Sequence, residues 1–251
     1  MKRILTVLLV LSLLAAPALA DPIALLGDYS EEIVEPYDED DPSCGVFTYI
    51  YHIPHVDEDA KGGAGINAFY EYYIDNDLDY DIQRNLDVFE GSDSTTVITY
   101  TVTCNSDDYF SVLLRKEEDN PDLTRVIWTG NVFIRANGDT GRTSTLPQLL
   151  GLLSATENEE VVENYQTRKT NDLVRDMVWD MIEESREESG FSGDFTRETL
   201  SRVFFPDEEY YLDENGDPVF YLQPDEVYDE VPEGADLIRF PIPLEDLLDE
   251  L

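Results

Sequence analysis

His52 and His55 are the only imidazoles in the 251-residue chain, and they run into Asp57, Glu58 and Asp59. A His-x-x-His-x-Asp run offers zinc-type donors, but zinc needs its ligands in a tetrahedral array. Pro54 stands between the two histidines at the end of an extended segment, where such an array is hard to close. The expectation is ordinary histidines and no metal. Asp213, Asn215 and Asp217 alternate like the start of a calcium loop, which then needs Gly at its sixth position and Glu at its twelfth. Pro218 and Pro224 stand there instead, so the segment reads as a hairpin turn around Gly216. No Gly-x-Ser-x-Gly elbow presents a nucleophile, and no Gly-rich phosphate cradle implies a nucleotide cofactor. Paired carboxylates could serve glycoside hydrolysis. Among 56 acidic residues no single pair stands out. The residues therefore favour a protein without catalytic machinery or cofactor, and a peptidoglycan- or polysaccharide-acting hydrolase is the alternative.

The acids stand against 16 Lys plus Arg, for a formal net charge of −40. Nucleic acid is excluded as a partner, because phosphate backbones need basic residues to neutralise them. Cationic partners would be drawn in by long-range attraction. The alternative is a charge that serves only solubility, in an acidic envelope protein with no specific ligand. An aromatic fraction of 11% argues for a folded chain.

Residues 1–20 read as a secretory signal peptide: Lys2 and Arg3, an apolar run from Ile4 to Leu14, then Ala18-Leu19-Ala20, with cleavage between Ala20 and Asp21. The run is too short to span a bilayer, so no membrane insertion is expected after cleavage. The product is placed outside the cytoplasm, secreted or in the cell envelope. In an oxidising compartment Cys44 and Cys104, the only cysteines, are expected to form a disulfide. It would close a loop of about sixty residues, worth roughly 4 kcal/mol. Two buried free thiols are the alternative.

The elements that must hold any site follow from periodicity. Residues 21–43 carry a dense acidic run and two prolines, and read as a flexible leader. Val46 to Ile53 is strand-like. Ile66, Tyr70, Ile74, Leu78, Ile82 and Phe89 recur at helical spacing, with Gly91 as a C-terminal cap. Thr95 to Cys104 alternates, with Ile98, Tyr100, Val102 and Cys104 on one face and Thr99, Thr101 and Thr103 on the other. Tyr109 to Arg115 and Val126 to Arg135 continue as strands. A capping box at Thr156 and Glu159 opens a second long amphipathic helix, which Gly190 ends. Tyr210 to Leu212 and Val219 to Leu222 flank the Gly216 turn, and Leu237 to Ile242 makes a last strand. The fold class is α+β, antiparallel sheets packed by two long helices.

Phe205-Pro206 through Tyr211, Gly216, Phe220-Tyr221 and Gln223-Pro224 to Gly234 and Ile238-Arg239-Phe240-Pro241 resembles the C-terminal domain of the RsiV-like extracytoplasmic proteins, domain of unknown function 3298. Ile66-Asn67 opening a helix after a strand ending at Pro54 resembles the companion N-terminal domain shared with the deacetylase PdaC. The resemblance implies an N-terminal lobe over residues 44–135 and a C-terminal lobe over 136–251. It also implies a ligand-binding ectodomain without an active site, since the best-understood member binds lysozyme. Tyr211, Gly216, Phe220, Tyr221, Pro224, Gly234 and Pro241 are then the family's structural positions. Where the family usually has Tyr-Glu after Gln-Pro, this chain has Asp225-Glu226. The expected contact surface is the acidic loop of Asp225, Glu226, Tyr228, Asp229, Glu230 and Glu233. The expected partner is a cationic protein such as lysozyme, or a cell-envelope component.

Overall fold

The structure is a computed structural model that describes residues 22–37, 44–88, 92–137, 141–153, 160–189, 191, 194–228, 231–232 and 234–251. The signal segment with its Ala20/Asp21 junction, Gly91, the Thr156–Glu159 box, Gly190, Asp229, Glu230 and Glu233 lie outside them.

The fold is α+β, as its periodicities imply. Five strands form one sheet in sequence order: β1 (Leu25–Pro36), β2 (Val46–Val56), β3 (Ser94–Asn105), β4 (Tyr109–Asn120) and β5 (Leu123–Ile134). All neighbours are antiparallel except β2 and β3. That pair is parallel because a helical crossover joins it: α1 (Gly63–Tyr72), a π-helical segment (Tyr73–Leu78) and α2 (Asp79–Val88). Phe47, Tyr49, Tyr51 and Ile53 alternate inward from β2 and meet Ile66, Tyr70, Leu78 and Ile82 of the crossover. Asn67 fixes the start of α1: its amide donates to Val56 O at 2.8 Å and its Oδ1 accepts the Val56 N–H at 3.0 Å.

The second half contributes α3 (Leu146–Leu149), α4 (Glu160–Ser189), α5 (Arg197–Val203), β6 (Tyr210–Leu212), β7 (Pro218–Leu222), α6 (Pro224–Val227), β8 (Ile238–Pro241) and α7 (Leu244–Asp249). Strands β6, β7 and β8 form a small antiparallel sheet. One face, with Tyr210, Leu212, Phe220 and Leu222, packs with Val174, Val178 and Ile182 of α4. These three recur every four residues and form the buried stripe of α4. The other face, with Tyr211, Val219 and Tyr221, packs on Leu113 and Trp128 of the large sheet. Cys104 and Val132 of the large sheet also belong to the α4 core, so the large sheet and the second half of the chain meet through apolar contact.

Two expectations are corrected. The acidic leader is not free over its length, because Leu25–Pro36 is β1, hydrogen-bonded antiparallel to β2 from Leu25↔Val56 to Pro36↔Val46. Cys44 and Cys104 form no disulfide, and both are free thiols. The parallel register sets Phe47 beside Ser94, and Cys104 lies ten residues further up β3, about 33 Å at the usual rise of a strand. A bridge needs Cα atoms within about 7 Å. A bulge between Val102 and Cys104 then turns Cys104 to the face opposite Ile98, into the α4 core. Burial also pushes the Cys104 thiol pKa up. We expect a thiol-reactive dye to titrate two thiols per chain in denaturant without reductant. Under native conditions it should titrate one rapidly, at half-buried Cys44. A count of zero in denaturant would restore the disulfide.

Candidate functional site

The large sheet has a helix face and an outer face. On the outer face the ladder aligns Thr99 with Arg115 and Arg115 with Trp128, and beside that row Thr101 with Leu113 and Leu113 with Gly130. The small sheet covers only part of this face. Where its cover stops, a cavity of about 930 Å³ opens between the Thr99–Arg115–Trp128 row and the segment from Pro224 to Arg239.

Trp128 is fixed from both sides. Gln223 acts as a short surrogate strand on the β5 edge, its Nε2 donating to Trp128 O at 2.8 Å and its Oε1 accepting the Trp128 N–H at 3.1 Å. Two residues on, the Gly130 N–H donates to the Tyr221 hydroxyl at 2.9 Å. The Arg115 guanidinium lies 5.8 Å from the Trp128 ring centroid, a cation–π distance, and pairs with Glu117. Across the cavity Arg239 holds Asp236 with two hydrogen bonds of 3.0 and 3.1 Å. Arg239 pulls the Asp236 carboxyl below its usual range. Burial opposes the charge on Arg239, but Asp236 and Tyr211 outweigh it and raise the guanidinium pKa.

Arg115, Arg125 and Arg239 all line the cavity, so three of the chain's 16 basic residues gather at one place in a protein of net charge −40. Among the described residues the lining acids are Asp225 and Asp236. Asp236, ionised and paired, is unsuited to donate a proton. The arrangement offers guanidinium donors, threonine hydroxyls and the apolar edges of Trp128, Tyr211, Val231 and Pro232. Such groups can hydrogen-bond and pack against a polar ligand.

The expected loop contributes unequally. Asp225 lies on the cavity wall. Glu226 is turned inward: its Oε2 accepts the Gln223 N–H at 2.8 Å and its side chain hydrogen-bonds Glu209. Tyr228 is half-buried, its N–H donating to Pro224 O at 2.9 Å. Of the positions that carry the resemblance, Tyr211, Pro224 and Gly234 reach the cavity. Phe220 and Tyr221 are buried in β7, and Pro241 ends β8. Gly216 makes the hairpin turn at φ +87, which a side chain rarely adopts. There Asp213 Oδ1 accepts the N–H groups of Asn215 and Asp217, and Asp217 Oδ1 that of Leu244, so these side chains serve the turn. His52 faces Asp28 at 3.4 Å and His55 packs on Tyr29, both against β1 and away from the cavity. Among the described residues no group of three or more His, Cys, Asp or Glu is arranged to hold a metal.

Sequence reasoning missed Arg115, Trp128, Asp236 and Arg239 as a set, because they come together only in the fold. The outward threonine row of β3 was the one local signal.

No family model matches the chain, and no curated protein matches it. Among solved structures, the chain is similar to a member of the DUF3298 family from Bacteroides fragilis, at 14% identity and TM-score 0.42, covering 89% of this chain and 94% of that one. It is also similar to a DUF3298 family protein from Pseudomonas aeruginosa, at 11% identity and TM-score 0.48, covering 92% and 94%.

Proposed function

We propose that the protein is an exported, non-catalytic binding module whose outer-face cavity takes a carbohydrate component of the cell envelope. The observation that carries this reading is the Thr99–Arg115–Trp128 row facing Tyr211 and Arg239 across one cavity. Hydroxyl-rich chains are held by planar donors such as guanidinium and by aromatic edges, and these are what the lining supplies. Arg115, Arg125 and Arg239 are each paired with a carboxylate, and a guanidinium carries five N–H donors, so each keeps donors for a ligand's hydroxyls.

Calorimetry with soluble peptidoglycan fragments and with an acidic polysaccharide is the test. We expect binding, weakened roughly tenfold or more by Arg115→Ala, since a hydrogen bond to a charged group contributes about 1.5–3 kcal/mol. Thr99→Val with Thr101→Val should weaken it by a smaller factor. Far-UV circular dichroism should be unchanged in both. Absence of binding to either polymer would overturn the reading. Release of reducing ends would instead establish the hydrolase alternative.

A further inference from the structure

A second cavity, about 500 Å³, lies on the other side of the large sheet, between β1 and the helical crossover. Two periodicities build it. On β1 the two-residue repeat puts Glu31, Ile33 and Glu35 on one face. On the crossover Ile74, Leu78 and Ile82 recur every four residues through the π-helical segment, with Asp75 and Asp79 one step around. Leu78 and Ile82 are themselves buried, so the accessible floor is the narrow apolar strip of half-buried Ile33, Ile74 and Leu86, bordered on both walls by carboxylates. Among the described residues no Lys or Arg lines it. Glu31 accepts a hydrogen bond from the Tyr51 hydroxyl at 3.1 Å. Glu35, Asp75 and Asp79 take part in none of the ion pairs found among the described residues.

We infer that this groove docks an amphipathic cationic segment of a protein partner, apolar side chains on the floor and Lys or Arg against the two acidic walls. Charge complementarity selects this occupant. A neutral apolar segment leaves the walls unpaired. A hydrophilic polycation pairs with the walls but leaves the floor wet. The groove and the carbohydrate cavity lie on opposite faces of one sheet, so both can be filled together.

The test is fluorescence anisotropy with a labelled Leu/Lys peptide designed as an amphipathic helix, at low salt and at roughly 0.15 M, where the Debye length is about 8 Å. A scrambled peptide of the same composition is the comparator. The protein is studied as wild type and as two triple variants of equal charge change. Glu35→Gln with Asp75→Asn and Asp79→Asn neutralises the walls. Glu198→Gln with Glu245→Gln and Asp249→Asn removes exposed acids elsewhere. We expect the amphipathic peptide to bind the wild type at least tenfold tighter than the scrambled one. The wall variant should lose roughly tenfold and the distant variant less than twofold. Equal losses in the two variants would reduce the effect to net charge and overturn the proposal. Equal binding of the two peptides to the wild type would overturn it without recourse to any variant.

Discussion

Gly130→Ala is expected to lower stability by about 3 kcal/mol or more, the upper range for forcing atoms into a packed interior. A Cβ at this position would stand 1.9 Å from Tyr210 O and 2.8 Å from Tyr210 C. Both are backbone atoms, so no rotamer change can relieve the overlap. Strand β5 must back away from β6, and the joint between the sheets opens. The Gly130–Tyr221 hydrogen bond lies at that point, and the Gln223–Trp128 clamp two residues away. The outer-face cavity should therefore lose its floor along with the stability. The control is Gly151→Ala, where φ is +67 but nothing lies within 4 Å of the new Cβ. It pays only for backbone conformation, about 1–2 kcal/mol. Urea denaturation followed by circular dichroism separates the two. The melting temperature of Gly130→Ala should fall by roughly 6–12 °C, at 2–4 °C per kcal/mol for a chain of this size. Equal costs for the two variants would remove the close approach as the cause.

The same joint shows why part of the molecule is legible in its sequence and part is not. Strand β2, the α4 stripe and the Gly216 hairpin announce themselves through local period and turn chemistry. Strand β1 does not. Its only half-buried positions are Tyr29 and Ile33, four apart, so no alternation appears. What makes it a strand is pairing with β2, helped by tyrosines that reach its acids: Tyr51 to Glu31, and Tyr100 to Asp28 at 2.6 Å. Residues 116–120 hide in the same way. Lys116, Glu118 and Arg125 look like a solvated loop, yet they form an ion-paired cluster with Asp81 of α2 inside the β4–β5 ladder. Glu118 shows the balance. Burial alone would raise its pKa, and hydrogen bonds from Lys116 and Arg125 bring it below the ordinary value. The Cys104 reading failed at one residue, because a bulge resets alternation without leaving a mark in it. The site is harder still to read. Thr99, Arg115, Trp128 and Arg239 have unremarkable neighbours in sequence, and only strand register and the docking of the small sheet make them one surface.

The wild-type protein is expected to lose stability as pH rises from about 5 to 9, and Glu209→Gln should remove much of that slope. Glu209 and Glu226 are hydrogen-bonded to each other at the junction of β6 and α6, largely buried. Burial, and then the negative charge of its neighbour, pushes the Glu209 carboxyl up to about 9. Burial raises Glu226 as well, against the hydrogen bond it accepts from the Gln223 N–H. An acid whose folded-state pKa lies above its unfolded value binds a proton in the folded state that the unfolded chain has released. Its stabilising contribution is complete below the unfolded value near 4.5 and fades as pH climbs through the folded value. With 1.36 kcal/mol per unit, discounted for coupling within the pair and for solvent, the loss across the window is about 2–4 kcal/mol. Glutamine mimics the protonated acid and can still accept the Phe205 N–H that Glu209 Oε2 holds at 2.6 Å. Glu209→Gln should thus raise stability by roughly 2 kcal/mol at pH 8 and change little at pH 5. Glu198→Gln, at an exposed acid, serves as the control for net charge. The joint also bears on the cavity, because Gln223 caps α6 and clamps Trp128. The carbohydrate binding proposed for this cavity should weaken above pH 8 in the wild type and hold in Glu209→Gln. An unaltered pH slope in the Glu209→Gln protein would show that the pair does not share a proton and that the slope arises from the −40 charge as a whole.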